Sequence, residues 1–183
     1  MLRYVKYYKD VLSPTVCNKM IDLFESHPEQ QEEIVSPVMD FKQINLMQHA
    51  DVWSKYNEIL FKTFEKALAQ YKRECKIQDT VQWPTEYGYE QYRMKKYEPG
   101  KGKFDLHTDA TDYTSSKRFL VFFLYLNTGD DGGTRFPDLK VTTPRVRGSL
   151  LMFPPLWTYP HAGLMPMKGP KYIVGSYLHY LEK

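Results

Sequence analysis

Hydrophobic positions recur along this chain with two different periods, and the change of period near Gln78 divides it in two. In the first half the spacing is helical. Ser13-Pro14 reads as a helix start, a hydroxyl cap followed by proline at the first helical position. Val16, Met20, Leu23 and Phe24 mark one face, and His27-Pro28 ends the run because a residue before proline avoids the helical region. From Glu29 to Gln48 there is little periodicity, which predicts a long loop with one short strand. A second helix is predicted from about Asp51 to Glu74. Trp53, Tyr56, Ile59, Leu60, Phe64, Ala67, Leu68 and Tyr71 form its apolar stripe, and Lys55, Glu58, Lys62, Glu65 and Lys66 its wet face.

Beyond Gln78 the pattern becomes short strands broken by Gly, Pro and Asp. Tyr87–Tyr97 alternates, with Tyr87, Tyr89, Gln91 and Arg93 on one face. Glu98-Pro99-Gly100 is a turn, and Lys103–His107 a short strand. Arg118–Asn127 is an apolar, β-rich run of the kind buried on both faces. After a turn over Asn127–Gly133, strands are predicted at Thr134–Phe136, Lys140–Thr143, Ser149–Phe153, Thr158–Ala162 and Lys171–Tyr180. About eight strands with close turn signals predict a mainly β fold, a double-stranded β-helix or jelly roll with the N-terminal helices packed on one sheet. Residues 1–183 read as one domain, with 1–78 a helical support region and 79–183 the jelly-roll core.

Composition excludes little. A net charge of +3 is too small to argue for a nucleic-acid partner. Fifteen Tyr and ten Phe suit strands and pocket walls, yet they suit a plain sandwich equally well. Cys17 and Cys75 fall on separate predicted helices and belong to no paired-cysteine metal motif. The opening residues carry charge where a signal peptide would be apolar, and no run is long enough to span a membrane, so a reducing, cytoplasmic setting is expected.

The chemistry is carried by His107-Thr108-Asp109, with His161 and Lys171 downstream. On a strand His107 and Asp109 share a face, because the side-chain period is two. Two imidazoles and one carboxylate on one side of a metal leave open positions, a geometry that suits non-haem Fe(II) better than tetrahedral zinc. Taken alone, each piece has a plain reading. His-x-Asp occurs by chance, His161 fits a loop histidine, Lys171 a solvated strand end, and Tyr125 a core residue. His27, His49 and His179 have no supporting context, and Lys95-Lys96, Arg145 and Arg147 read as solvated faces.

Together these residues sit in a longer pattern. Tyr97-Glu98-Pro99-Gly100 precedes His107-x-Asp109; Tyr125-Leu126-Asn127 precedes Gly132-Gly133-Thr134-Arg135-Phe136; Gly148–Phe153 precedes Pro160-His161-Ala162-Gly163 and Lys171. In that order they resemble the catalytic domain of the prolyl 4-hydroxylases and related oxygen-sensing prolyl hydroxylases. The resemblance implies iron ligation by His107, Asp109 and His161. It implies that Lys171 and Tyr125 hold the distal carboxylate of 2-oxoglutarate, that Tyr97 lies beside this cosubstrate, and that Arg118 and Tyr177 face the substrate. Tyr177 stands where relatives often carry Trp, and Phe104 where they often carry Tyr.

The implied function is an Fe(II)- and 2-oxoglutarate-dependent dioxygenase, with O2 as co-reactant and ascorbate as a candidate reductant. It would hydroxylate an aliphatic C–H, most simply on a prolyl residue of a peptide or protein, and release succinate and CO2. Two alternatives use the same fold: an oxygenase acting on a modified nucleobase or a free amino acid, and a cupin-like binding module without turnover. Ala110–Lys117 is polar and lacks an apolar anchor, so a lid over the metal is expected there, with Arg118 at its hinge. Arg135 is the reserve cation should Lys171 not serve.

Overall fold

The computed structural model describes residues 3–182. The chain opens with β1 (Lys6–Tyr8) and α1 (Pro14–Ser26), whose cap Ser13 accepts a hydrogen bond from the Val16 N–H at 3.4 Å. β2 (Glu32–Val35), β3 (Met39–Asn45), α2 (Ala50–Cys75) and the single-turn α3 (Asp79–Gln82) follow. β4 (Tyr87–Tyr89), β5 (Arg93–Tyr97), β6 (Lys103–His107) and β7 (Arg118–Tyr125) lead to β8 (Gly129–Phe136) and β9 (Val141–Arg145). β10 (Ser149–Phe153), β11 (His161–Gly163) and β12 (Lys171–Tyr180) complete the chain.

All pairings are antiparallel, and the hydrogen-bonded order runs β1-β10-β7-β12-β5-β3-β6-β11-β8-β9, with β2 on β3 and β4 on β12. This path curls back on itself. Phe41 of β3, Tyr97 of β5, Tyr125 of β7, Phe136 of β8 and Phe153 of β10 pack into one inner cluster, although they come from strands spread along its length. The result is a near-closed β sheet, as expected of a double-stranded β-helix.

β7 shows how the sequence directs this packing. Leu120, Phe122 and Leu124 face outward onto α1 and α2, while Val121 and Tyr125 face the inner cluster, so the strand is buried on both sides as its composition implies. The helical stripe Trp53, Leu60, Phe64, Leu68 and Tyr71 covers that outer face, and Phe64 stacks on Phe122 at 4.9 Å. The helices therefore act as one wall of a sheet whose other face is free to build a site.

Two expectations need correction. The segment from Glu29 to Gln48 is not a loop with one short strand but holds β2 and β3, and β3 sits between β5 and β6 near the middle of the sheet. Its signal was hidden because only Phe41 inside and Ile44 outside are fully covered, with Asp40, Lys42 and Gln43 interleaved. The strands are also more numerous: the single alternating run predicted over Tyr87–Tyr97 divides into β4 and β5, and β8 begins inside the expected turn. Gly148 makes the turn into β10. Its φ is +74°, and a Cβ there would lie 2.3 Å from the Leu12 carbonyl, so neither the turn nor the close approach of the β1–α1 connection admits a side chain.

The contact between helix layer and sheet is tested at Phe122. Truncation to Ala should lower unfolding free energy by about 3–5 kcal/mol, the range for emptying a buried aromatic site. Denaturant titration measures it, and a loss under about 1 kcal/mol would mean that the helices do not brace the sheet.

Candidate functional site

The centre of the site is a cross-strand pair. In the β6–β11 ladder His107 lies directly opposite His161, which brings the two imidazole centroids to 4.4 Å. Asp109 lies just beyond the end of β6, where the ladder no longer holds it. Its N–H instead donates to the Pro155 carbonyl at 3.2 Å, and its carbonyl accepts from Arg118 Nη1 at 2.9 Å. The two residues share a side as the period-two argument predicts, but these two bonds do the holding. Asp109 Oδ1 and Oδ2 come within 3.4 Å of His107 Nε2 and His161 Nε2 respectively.

The hydrogen bonds show which atoms are left free. His107 Nδ1 donates to the Asp105 carbonyl at 2.7 Å, and His161 Nδ1 to the Tyr159 carbonyl at 3.1 Å. With the proton fixed on Nδ1, each Nε2 presents a lone pair inward. Tyr177 donates its hydroxyl to Asp109 Oδ1 at 2.9 Å and leaves Oδ2 unpartnered. His107 Nε2, His161 Nε2 and Asp109 Oδ2 are thus buried without hydrogen-bond partners, which is costly unless a cation fills the space between them. One ligand atom from each residue lies within 4.8 Å of the others, so the set fits a metal ion. Two neutral nitrogens and one oxygen are the donor types of a facial, open-sided centre.

Electrostatics agree with this donor set. Burial among Phe123, Phe136 and Phe153 disfavours a charged His161 and pushes its pKa down to about 4, so the ring is a neutral ligand at ordinary pH. Burial acts against the Asp109 carboxylate as well, but the facing imidazoles and the Tyr177 hydroxyl outweigh it and hold the pKa below the usual value. Phe104 stacks on His107 at 3.5 Å with an interplanar angle of 7° and fixes that ring, a role for which it needs no hydroxyl.

Two cavities meet here. The outer cleft, about 300 Å³, is bounded by Arg93, Lys95, Arg118 and Tyr177 together with Thr111, Asp112 and Ser115. The inner one is lined by Tyr97, Tyr125, Thr134, Gly163 and Lys171, and its free volume of about 20 Å³ has room for one water. Lys171 Nζ donates to the Leu164 carbonyl at 2.8 Å and lies 4.0 Å from the Tyr97 ring centroid. Burial is the first cause lowering its pKa to about 7, and the nearby Arg145 adds to it. Tyr125 shares a hydrogen bond with Thr134 Oγ1 at 2.6 Å. Any dicarboxylate entering this cavity must draw these groups from their present partners.

Residues 92–179 match the model of the 2OG-Fe(II) oxygenase superfamily, a span that contains all three candidate ligands, Lys171 and the inner cavity's aromatic walls. The match covers a little under half of the chain, and within it the chain is similar to the catalytic domain of that superfamily. Fe(II), 2-oxoglutarate and O2 are the cofactor and co-reactants that the name of that superfamily implies. No curated protein matches the chain by sequence comparison. Among solved structures it resembles a viral collagen prolyl hydroxylase from Paramecium bursaria Chlorella virus-1 in its 2OG complex, at TM-score 0.69 and 20% identity over 97% of both chains. It also resembles a Trichoplax adhaerens prolyl hydroxylase in complex with a hypoxia inducible factor peptide fragment, at TM-score 0.74 and 15% identity over 98% of this chain and 84% of that one. A Pseudomonas putida prolyl-4-hydroxylase gives TM-score 0.66 and 16% identity over 97% and 93%. At these identities the likeness is one of fold.

All eight residues singled out in the sequence line these two adjoining cavities. The structure adds detail to several. Arg118 lines the outer cleft, but its Nε and Nη2 are already bound to Glu90 at 2.7 and 3.0 Å and its guanidinium lies 4.1 Å over the Tyr177 ring. Tyr177 touches the metal-facing carboxylate through its hydroxyl. The segment Ala110–Lys117 has no apolar anchor, but a polar one replaces it: Ser115 Oγ accepts from the Thr111 and Asp112 N–H groups, and Asp112 Oδ1 from the Ser115 N–H. Arg135 is exposed and drops out as reserve cation. Arg145 is buried instead, donating to the Pro170 carbonyl beside Lys171, and is not the solvated residue expected. Lys95 and Lys96 are not solvated either; Lys96 is paired with Glu25 and Glu98, and Lys95 faces the site. Lys95 was legible, since it continues the alternation that puts Arg93 and Tyr97 on one face.

The Tyr177 contact gives a sharp test. Tyr177→Phe keeps the ring but frees Asp109 Oδ1, and should weaken metal binding by about 10–100-fold, the usual cost of losing a bond that orients a ligand. Co(II) titration followed by absorbance reads this directly, and unchanged affinity would mean that the hydroxyl does not orient the carboxylate.

Proposed function

We propose that this chain is an Fe(II)- and 2-oxoglutarate-dependent dioxygenase that hydroxylates a prolyl residue of a peptide or protein, releasing succinate and CO2. The observation that carries the reading is the set of three buried, unpartnered ligand atoms at the junction of a closed cationic cavity and an open cleft. In this reading His107, Asp109 and His161 hold the iron. Iron with 2-oxoglutarate and O2 supplies the oxidising power for C–H hydroxylation, and ascorbate is the candidate reductant. Every other task falls to the protein.

Lys171 neutralises the distal carboxylate of the cosubstrate, Tyr125 and Thr134 supply hydroxyl partners for it, and Tyr97 forms the wall over the ammonium. Tyr177 and Arg118 fix Asp109 from the side chain and the backbone, and present the floor of the cleft to substrate. The aromatic rings around His161 exclude water and strengthen the interactions inside. The outer cleft is open and mixed in charge, which suits a peptide. The prolyl assignment draws on the three prolyl hydroxylases that share the fold. A binding module without turnover has no use for three orphaned ligand atoms. A nucleobase substrate would call for a basic face, which a net charge of +3 does not supply. Among the described residues no helix is long and apolar enough to cross a membrane, and Cys17 and Cys75 are unpaired.

Succinate release with a panel of proline-containing peptides, and a mass gain of one oxygen on proline, tests the reaction. Decarboxylation without any prolyl product would retain the oxygenase and discard the prolyl substrate. Lys171→Ala should weaken 2-oxoglutarate binding by about 2–5 kcal/mol, because it removes one partner of a buried charge pair. Calorimetry measures it, and an unchanged affinity would transfer the role to Arg145.

The same lysine sets a pH dependence. Its pKa of about 7 rises once a carboxylate is bound, so the complex holds a proton that the free protein releases. Affinity should be flat below pH 7 and fall by up to about tenfold per pH unit above it. Proton uptake on binding at pH 8, measured in buffers of different ionisation enthalpy, should vanish in Lys171→Ala.

A further inference from the structure

We propose that Lys95 is an anion anchor that selects substrates carrying a carboxylate close to the carbon to be oxidised. The proposal rests on the oxygenase reading of the site and adds the chemical class of its substrate. Lys95 lies on β5, two residues before Tyr97, and borders both the outer cleft and the inner cavity. Phe104, His107, Phe123 and Tyr177 also border both, so Lys95 stands at the junction where a bound metal would meet its substrate.

What distinguishes it is the lack of a partner. Among the described residues its ammonium makes no ion pair or hydrogen bond; it lies 4.5 Å from the Phe41 ring centroid and 5.8 Å from that of Phe104. The other cations of the cleft are committed. Arg118 and Arg93 share Glu90, at 2.7 and 3.9 Å. Of the acidic groups facing the cleft, Asp109 is turned to the metal position and Asp112 is exposed and holds the Ser115 turn. The cosubstrate has its own cation in Lys171. Among the described residues Lys95 is the one cation lining the cleft that has neither an ion pair nor a hydrogen bond. Burial pushes its pKa down to about 8, the direction an incoming carboxylate would reverse. A methionine would fill the same slot against Phe41 and Phe104 without the cost of an unpaired ammonium.

The carboxylate has two possible sources, an acidic side chain beside the target residue of a peptide or the α-carboxylate of a free amino acid. Two matched pairs of probes separate them: capped prolyl peptides with Glu or Gln next to the proline, and L-proline against L-prolinamide. Equilibrium binding is measured with protein carrying Mn(II) and 2-oxoglutarate, and kcat/KM with Fe(II). The acid of one pair should be preferred over its amide by about tenfold or more, as expected for a charge-assisted contact, and that pair identifies the source. Lys95→Met should abolish the preference with 2-oxoglutarate affinity unchanged, and Lys95→Glu should turn it toward a peptide with Lys in place of Glu. Equal binding of acid and amide in both pairs, or a preference that survives in Lys95→Met, overturns the proposal. So does a fall in 2-oxoglutarate affinity in Lys95→Met, which would place Lys95 in the cosubstrate site. Failure to bind metal and 2-oxoglutarate would instead remove the oxygenase reading, and the acid-over-amide comparison on the metal-free protein would still report on Lys95.

Discussion

The site depends on how Asp109 is held. It lies past the last rung of the β6–β11 ladder, so no sheet hydrogen bond positions it, and a loose carboxylate there would turn away from the imidazoles toward water. Three bonds prevent this, from its N–H to Pro155, from Arg118 to its carbonyl and from Tyr177 to one carboxylate oxygen. They come from the loop before β11, the start of β7 and the middle of β12. Asp109 is thereby tied to three parts of the sheet at once. Its second oxygen is left facing the two free Nε2 atoms, and the centre is set before any metal arrives.

Around this point the protein keeps charge scarce and matched. His161 is neutral because aromatic rings surround it, Asp109 is ionised because the imidazoles and Tyr177 favour it, and Lys171 is poised because burial, Arg145 and Lys95 outweigh the attraction of Asp131. These are three outcomes of one low-dielectric environment, each set by its nearest partners. Arg145 and Arg118 are buried or half-buried, but each is neutralised or bound to carbonyls, so they shape walls and leave the lysines to respond to ligands. Glycine makes the close packing possible. A Cβ at Gly129 would lie 1.6 Å from the Arg145 guanidinium, so that arginine crosses the β8 backbone only where there is no side chain.

Much of this was legible in the chain. Ser13-Pro14 and His27-Pro28 bound α1 as read, since caps and proline act locally, and the Trp53-to-Tyr71 stripe gave α2 within a residue at each end. The two-sided burial of β7 followed from its unbroken apolar run. His107, Asp109, His161 and Lys171 could be named because the run of motifs around them, from Tyr97 to Lys171, resembles one family's catalytic domain; each alone has a plain reading. β3 could not be seen, because a strand that shares its burial between two faces and carries polar residues between them has no clear period.

The sequence by itself determined the residue types of the site and the local elements that carry them, because capping, proline and side-chain alternation act over a few residues. Only the tertiary structure decided which of those residues face one another. His161 opposite His107, Tyr177 on Asp109, Arg145 beside Lys171 and Lys95 unpaired at the cavity junction all join strands far apart in the chain. Those contacts are fixed by how the curled sheet sets its register, and register is a property of paired strands that no single strand encodes.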